Sequence, residues 1–455
     1  MKNQKKLPII VGTGISGLAI SRKLSLEGIE HILVGSYKNV TRPILGESVE
    51  MFGVTILKSL FPELSQHFYP KLGINYQLDK SKCHFDFHRC FKIPEIIELM
   101  NKTKYTHKME GSFSLIHLDR ALFDFEAFEA VINSPHCHYI NSNVEAIDYN
   151  IETDTINSIT VIGGRVLYPL FVYDASSAAR IVAKLLKLQP EFISDEMKVV
   201  FAHYKARPNT LSTLDPKQKP WIHNTEILRH YQYKSGFNGS SWCIPIGEYI
   251  SVGTNIIGNK EMSDEEILAV TDQAYYNHGV DYRNYYQDLV AVKSMNSRLY
   301  YYPKVYGKNW VLTSGAEGLT WYTAQTGVES AMFIASIADR VLLHPNYYCQ
   351  YYQEFIMQQV RMHKIHDWLH HHEVDNITDI DAYKFMINSI RCIQGRYLLG
   401  NLCLDHPILT KLEWLQDIKK YQSQLTEQEL DEIVESIKRM ETCAEYINPS
   451  CKITV

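Results

Sequence analysis

The apolar run from Pro8 to Val11 ends on glycines, and beyond them apolar residues return at helical spacing as Leu18, Ala19, Leu24 and Leu26. A short continuous apolar run reads as a buried strand, and the change to a 3.6-residue period reads as a helix. Gly28 then closes the helix, and a second β-rich run from His31 to Val34 completes strand, turn, helix, strand. Residues 43 to 110 have a mixed pattern, with a helix expected around Met51 to Leu60. The stretch SLIHLDRALFDFEAFEAVI predicts a short strand feeding an amphipathic helix, with Leu122, Phe123, Phe125 and Phe128 on or near one face. Three strand-like runs follow, the last ending at Asp174.

From Lys198 to Asn255 the pattern changes to the alternating strands KVVFAHYKA, TEILRHYQY and SSWCIPIGEYISVGTNI. Period-two alternation predicts an antiparallel sheet inserted between parts of the first domain. NWVLTSGAEG returns to a buried strand and loop, and GVESAMFIASIADRVLL is an apolar helix. After about Tyr347 the chain reads as helical and polar-amphipathic, ending in TEQELDEIVESIKRME and a frayed tail.

A length of 455 residues exceeds what one compact core usually holds, so two joined domains are expected. The net charge of −5 argues against a general nucleic-acid binder, whose domains are usually basic. The nine cysteines include no CxxC pair, and Cys83 and Cys90 do not have zinc-knuckle spacing. Free thiols in a reducing cytoplasm are the simplest reading. No signal peptide and no transmembrane span of about twenty apolar residues is expected. His363, His366 and His370 fall on one face of a predicted helix. No metal-enzyme motif surrounds them, and no metal is assigned.

The first turn reads Gly12, Thr13, Gly14, Ile15, Ser16, Gly17, a GxGxxG between a strand and a helix. Gly12 permits the tight turn, Gly14 lets backbone approach a pyrophosphate, and Gly17 allows close helix-to-strand packing. Phosphates then sit at a helix N-terminus, where free N–H groups favour anions. Where such a unit normally ends in an acid for the ribose, this chain has Gly35 and Ser36. One missing charged hydrogen bond weakens such a site by about 1.5–3 kcal/mol without abolishing it.

Further segments, in order, resemble flavin-dependent halogenases within the FAD monooxygenase superfamily. RPILGESVEMFGVTILKSLF carries Gly46, Glu47 and Ser48, similar to the family's GES segment, and FYPKLGINYQ resembles the segment presenting the active-site lysine, here Lys71. HLDRALFD is similar to the DRxxFD-type stretch, with Arg120 as an FAD contact. VYDASSAARIVAKLLKL resembles the DASGR strand and turn, which places Asp174 beside the cofactor. SSWCIPIGEYISVGTNI resembles the WxWxIP signature, keeping Trp242, Ile244 and Pro245 but with Ser240 at the first Trp. NWVLTSGAEGLTWYTAQTGVESAM is similar to LxGDAAxFxDPxxSxGV and keeps Thr326 and Gly327. The resemblance spans roughly residues 8 to 340.

The fold this implies is α/β, a GR2-type FAD-binding Rossmann domain with an antiparallel β-sheet substrate domain and C-terminal helices. The FAD domain is expected over residues 1–80, 111–190 and 291–345, the sheet domain over 81–110 and 191–290, and the helical region over 346–455. Departures from the family pattern are Ser314 and Gly315 at its GD pair, Trp321 and Tyr322 at its Asp-Pro turn, and Gly35. The acidic contacts to flavin are therefore expected to be thinned, and its binding weak.

The activity implied is FAD-dependent halogenation of an aromatic or electron-rich substrate, free or bound to a carrier protein, in specialised metabolism. A separate flavin reductase would supply reduced FAD, since no second GxGxxG is present. Halide would rest near Thr326 and Gly327, and hypohalous acid would pass to Lys71. In that reading Glu47 orients the flavin or lines the tunnel, and Trp242 walls flavin from substrate. Gly12, Gly14, Gly17, Gly46, Ser48, Arg120, Asp174 and Gly315 complete the cofactor contacts. Taken alone, the residues leave plainer roles open: Lys71 on the surface, Glu47 as a helix cap, Trp242 in sheet packing, Arg120 in a surface ion pair, Asp174 as a turn residue. Two other activities also stay open. One is a halogenase-like FAD monooxygenase or dehydrogenase; the other is a redox-neutral cyclase, isomerase or binding protein on a degenerate flavin scaffold.

Overall fold

The computed structural model describes residues 5–37, 42–49, 51–71, 73–78, 81–86, 115–193, 196–215, 217–257, 261–319 and 327–371. The fold is mixed α/β, and two sheets organise it. The first has six strands in the order Tyr306–Gly307, Trp310–Leu312, Pro169–Asp174, Leu7–Val11, His31–Val34 and Cys137–Ile140. Its last five strands pair parallel, and the two-residue edge strand pairs antiparallel. Ile9, Ile10, Leu33, Val172 and Trp310 are fully buried, as strands covered on both faces must be. The expected strand, turn, helix, strand thus forms, with helix Ile15–Leu26 packed against helix Gly327–Ser336.

The second sheet has seven strands in the order Tyr286–Ser297, Met197–Ala206, Tyr249–Ile257, Asn238–Ile246, Asn224–His230, Gly73–Leu78 and Ser81–Asp86. The alternating run is antiparallel throughout, and the pairing of Asn224–His230 with Gly73–Leu78 is parallel. Gly73–Leu78 and Tyr286–Ser297 carry this sheet across the expected boundaries at 80/81 and 290/291. A small antiparallel sheet, Ser48–Val49 with Leu115–Leu118 and Phe68–Lys71, connects the two halves.

Helices Met51–Leu60 and Pro345–His371 stand where the pattern placed them. The side chains of His363, His366 and His370, and the whole run TEQELDEIVESIKRME, lie outside the described residues. Among the described residues, no helix is long and apolar enough to cross a membrane. One expectation fails in helix Arg120–Ile132. Phe123 and Phe128 are buried, but Leu122 is 46% and Phe125 44% exposed. The buried stripe is Arg120, Phe123, Asp124, Ala127, Phe128 and Val131, so it includes an ion pair that an apolar-only reading skips.

Candidate active site

Strands Leu7–Val11, Pro169–Asp174 and Trp310–Leu312 end in register, with Val11 beside Asp174 and Asp174 beside Leu312. A cavity of about 670 Å³ opens there, bounded on the far side by Val199, Phe201 and Asn255 of the seven-stranded sheet. Its volume falls within the roughly 300–1,000 Å³ of small-molecule sites, and the carboxyl ends of parallel strands are where such sites form.

The glycine turn has two different jobs. Gly12 holds φ +121°, and a Cβ there would stand 2.3 Å from the Ala175 carbonyl oxygen. A Cβ on Gly17 would stand 2.0 Å from the Gly12 oxygen. Gly14, by contrast, has nothing within 4 Å and lines the cavity with Ile15 and Ser16. It caps helix Ile15–Leu26 without a side-chain hydrogen bond, and no acid occupies the first turn. Free N–H groups and the helix dipole at such an end favour an anion. Among the described residues, the charged side chains on the cavity wall are Arg120, Arg180, Lys293 and Arg298 against one acid, Glu317. This donor set suits a phosphate-bearing ligand.

At the end of His31–Val34, a Cβ on Gly35 would lie 2.9 Å from Thr13 Cγ2 and 3.3 Å from Thr13 N. An acid at position 35 therefore requires Thr13 to shift. The Gly35 carbonyl accepts instead from Tyr139 OH at 2.9 Å, and Ser36 Oγ donates to Asn143 Oδ1 at 3.1 Å.

Arg120 is not in a surface ion pair. Its Nε and Nη2 meet buried Asp124 Oδ1 and Oδ2 at 2.9 and 2.7 Å, and its Nη1 donates to half-buried Leu45 O at 2.9 Å. Gly46, at φ +90°, leaves room for it, since a Cβ there would stand 2.8 Å from Arg120 Nη1.

Lys71 is 1% exposed, so the plain surface reading is wrong. The pairing of Phe68–Lys71 and Ser48–Val49 on either side of Leu115–Leu118 gathers Lys71, Ser48 and His117. Lys71 Nζ donates to Ser48 Oγ at 2.8 Å, Ser48 Oγ lies 3.0 Å from Thr225 Oγ1, and that atom lies 3.0 Å from His117 Nε2. Burial, and then the Lys71 charge, hold His117 well below the ordinary imidazole value, so it is neutral. Glu47 is buried 2.7 Å from His203 Nε2, close enough to pair but not aligned as a hydrogen bond. Glu47 therefore does not cap the helix that follows.

Neither Lys71, Glu47, Ser48 nor Trp242 is on the cavity wall; Gly46 is. Trp242 Nε1 points to Ser251 Oγ at 3.4 Å, and its ring lies 6.3 Å from that of Phe201, which does line the cavity. Asp174 is also absent from the wall. Its Oδ1 accepts from Ser176 N and Oγ at 3.1 and 2.5 Å, and its Oδ2 from Val182 N at 2.9 Å and Ala183 N at 3.4 Å. Burial raises its carboxyl and those donors oppose the rise, as for a turn and helix-cap residue.

The turn after Trp310–Leu312 is held from both sides. Ser314 and Gly315 have φ +46° and +84°. Thr313 Oγ1 donates to Asp174 O at 3.0 Å and lies 3.2 Å from Ser16 Oγ, while Ser314 Oγ donates to Gly327 O at 3.2 Å. Gly315 O accepts from Tyr300 OH. Gly315 and Gly327 both line the cavity, whereas Trp321, Tyr322 and Thr326 lie outside the described residues. Glu317, which the motif reading passed over, is 2% exposed on the same wall, and Tyr352 OH donates to its Oε1 at 3.1 Å. Burial pushes its carboxyl up to about 8. The signal for it was one acid amid small residues in SGAEG, directly after a buried strand. Of the expected contacts, the structure brings Gly14, Gly46, Arg120, Gly315 and Gly327 together.

Solved structures share this fold. The flavin-dependent brominase Bmp2 superposes with a TM-score of 0.62 at 17% identity, over 92% of this chain and 99% of that one. The halogenase PltM in complex with phloroglucinol and FAD gives 0.64 at 12% identity, over 97% of each chain. The chain has the flavin-dependent halogenase fold. A flavoprotein/dehydrogenase from Cytophaga hutchinsonii shares that halogenase fold at a TM-score of 0.61 and 17% identity, over 92% of this chain and 100% of that one. No protein-family profile and no curated protein matches the chain by sequence.

Proposed function

We propose that the chain is an FAD-dependent, halogenase-like oxidoreductase acting on a small aromatic or electron-rich substrate. The fold shared with flavin-dependent halogenases and the phosphate-suited donor set support FAD as the ligand. The N–H groups at Gly14, Ile15 and Ser16, with Arg120 behind Gly46, would hold its phosphates. Bound FAD, reduced by a separate reductase, supplies the oxygen activation needed to oxidise halide. The chain's part is placement, exclusion of water and a receiving amine.

Lys71 carries the halogenation reading. A lysine at 1% exposure, its Nζ on Ser48 Oγ at 2.8 Å, is held away from water two strand pairings from the strand that follows Gly46 on the cavity wall. Lysines are almost never fully buried without a role or a partner, and a desolvated amine is a tunable nucleophile and donor. The test supplies purified protein with FAD, a flavin reductase, bromide or chloride, and a panel of phenols, pyrroles and indoles. Halogenated product is expected, and Lys71→Met is expected to abolish it while FAD still binds. Product formation that survives Lys71→Met refutes the role of the lysine.

A second reading has its own observation. Lys71 lies off the described cavity wall, and a ligand in the cavity would meet Phe201 and Glu317 instead. A halogenase-like monooxygenase or dehydrogenase would then yield product one oxygen heavier or two hydrogens lighter, with no halogen. Protein that takes up no flavin would favour a redox-neutral activity or simple binding.

A further inference from the structure

We propose that Glu317 binds the flavin directly, as a neutral carboxylic acid whose Oε2 hydroxyl donates a hydrogen bond to a carbonyl, ring nitrogen or ribityl oxygen. The proposal rests on the flavin reading above. Its starting point is an unmatched atom. Glu317 lies on the cavity wall at 2% exposure, and among the described residues its Oε2 has no hydrogen-bond partner. Buried polar atoms are nearly always partnered, and an unmatched one on a residue of the cavity wall calls for a partner that a ligand there would supply.

The surroundings determine which form of the carboxyl is present. Tyr352 OH donates to Oε1, which leaves Oε2 to carry any proton. Burial is the largest influence and Asp174 adds to it; the backbone N–H groups of Glu317 and Gly315 and the Tyr352 hydroxyl favour the anion but do not win. The other groups facing this corner are Tyr300, whose hydroxyl is committed to Gly315 O, and Arg180, whose guanidinium lies 4.6 Å over the Tyr300 ring. Tyr352 and Tyr300 are both pushed above the ordinary phenol value by burial, so they stay neutral through the range in which Glu317 titrates. A protonated carboxyl is a donor without an acceptor, and it would not repel the phosphates of a bound flavin.

Position 317 also supplies what the turn lacks. Ser314 and Gly315 present no acid to the cavity, and Glu317 follows them on the same wall. The acid lost from the turn is thus replaced two residues later by one that works uncharged.

The test is the affinity of the full chain for oxidised FAD, read by quenching of flavin fluorescence at about pH 6.5 and about pH 9. Wild-type Kd should rise roughly tenfold over that range, because about one carboxyl in eleven stays protonated one pH unit above its value. Glu317→Gln, whose amide can donate from the same place, should bind FAD about equally at both pH values. Glu317→Leu should bind about tenfold more weakly than wild type at the lower pH, with thermal unfolding of the flavin-free protein confirming that it is folded. Parallel pH profiles for wild type and Glu317→Gln, or full affinity in Glu317→Leu, would overturn the proposal and leave the flavin reading intact. If the wild type binds no FAD at the lower pH, the flavin reading falls and this role falls with it.

Discussion

Arg120 is placed to serve both the fold and a ligand, and the two roles can be separated. Its guanidinium is bidentate to Asp124 at 2.9 and 2.7 Å, with the residues 8% and 4% exposed, and it also serves Leu45 O at 2.9 Å. Arg120→Met leaves a buried carboxylate uncompensated, which costs about 3–5 kcal/mol, and the orphaned carbonyl adds about 1 kcal/mol. Removing both charges in Arg120→Met/Asp124→Leu should recover most of that loss, to within about 1–2 kcal/mol of wild type. Urea unfolding of the flavin-free protein measures it, comparing midpoints at a common m-value. FAD binding should behave differently. The double variant still lacks the cation beside Gly46, so its FAD affinity should stay about ten- to a hundredfold weaker, the worth of one charge-assisted hydrogen bond. A double variant as unstable as Arg120→Met would show that the ion pair is not what the fold depends on. A double variant that binds FAD like wild type would remove Arg120 from the cofactor site.

Three further outcomes are expected. Glu317→Gln should stabilise the flavin-free fold increasingly with pH. A carboxyl raised from 4.5 to about 8 gives its full share of stability below about pH 4.5 and loses it as pH rises toward 8, at 1.36 kcal/mol per pH unit, so the gain should grow by about 2 kcal/mol between pH 5 and pH 7. A gain that is constant with pH in urea melts would contradict the buried acid. Gly253→Ala should cost about 1–3 kcal/mol or more, because its Cβ would stand 2.2 Å from Trp242 Cζ2 and 2.6 Å from Phe201 Cβ; an unchanged melting temperature would mean the sheet yields there. Gly35→Asp alone should destabilise the protein through Thr13, whereas Thr13→Gly/Gly35→Asp should tighten FAD binding about tenfold or more by restoring a charged acceptor. Calorimetric titration of wild type and the double variant with FAD decides it, and equal affinities would show that no ribose approaches that corner.

The sequence pattern exposed the framework well because it depends on periodicity. Strand Leu7–Val11, helix Ile15–Leu26 and the alternating strands of residues 197–257 each bury a face whose spacing is local. Polar burial was harder to see. Arg120 and Asp124 share a helix stripe with Phe123 and Phe128, so judging the face by apolar residues alone moved it toward Leu122 and Phe125. Lys71, Ser48, Thr225 and His117 are far apart in the chain and meet only through strand pairing, which no local window contains. Asp174 was placed at the right strand end, but its partners Val182 and Ala183 depend on how the chain turns after it. Glu317 carries no motif signal, because the acid of the family pattern falls at position 315, two residues before it.

The three glycines of the first turn are not equivalent informants about ligand. Gly12 and Gly17 are locked by the Ala175 and Gly12 carbonyls, and Gly14 alone of the three faces open space. In a randomised library screened for folding alone, positions 12 and 17 should return glycine while position 14 should drift to other residues. The same library screened for flavin retention should restore glycine at 14. A descendant of this chain could therefore abandon its nucleotide and still carry two-thirds of the motif, with position 14 recording the loss.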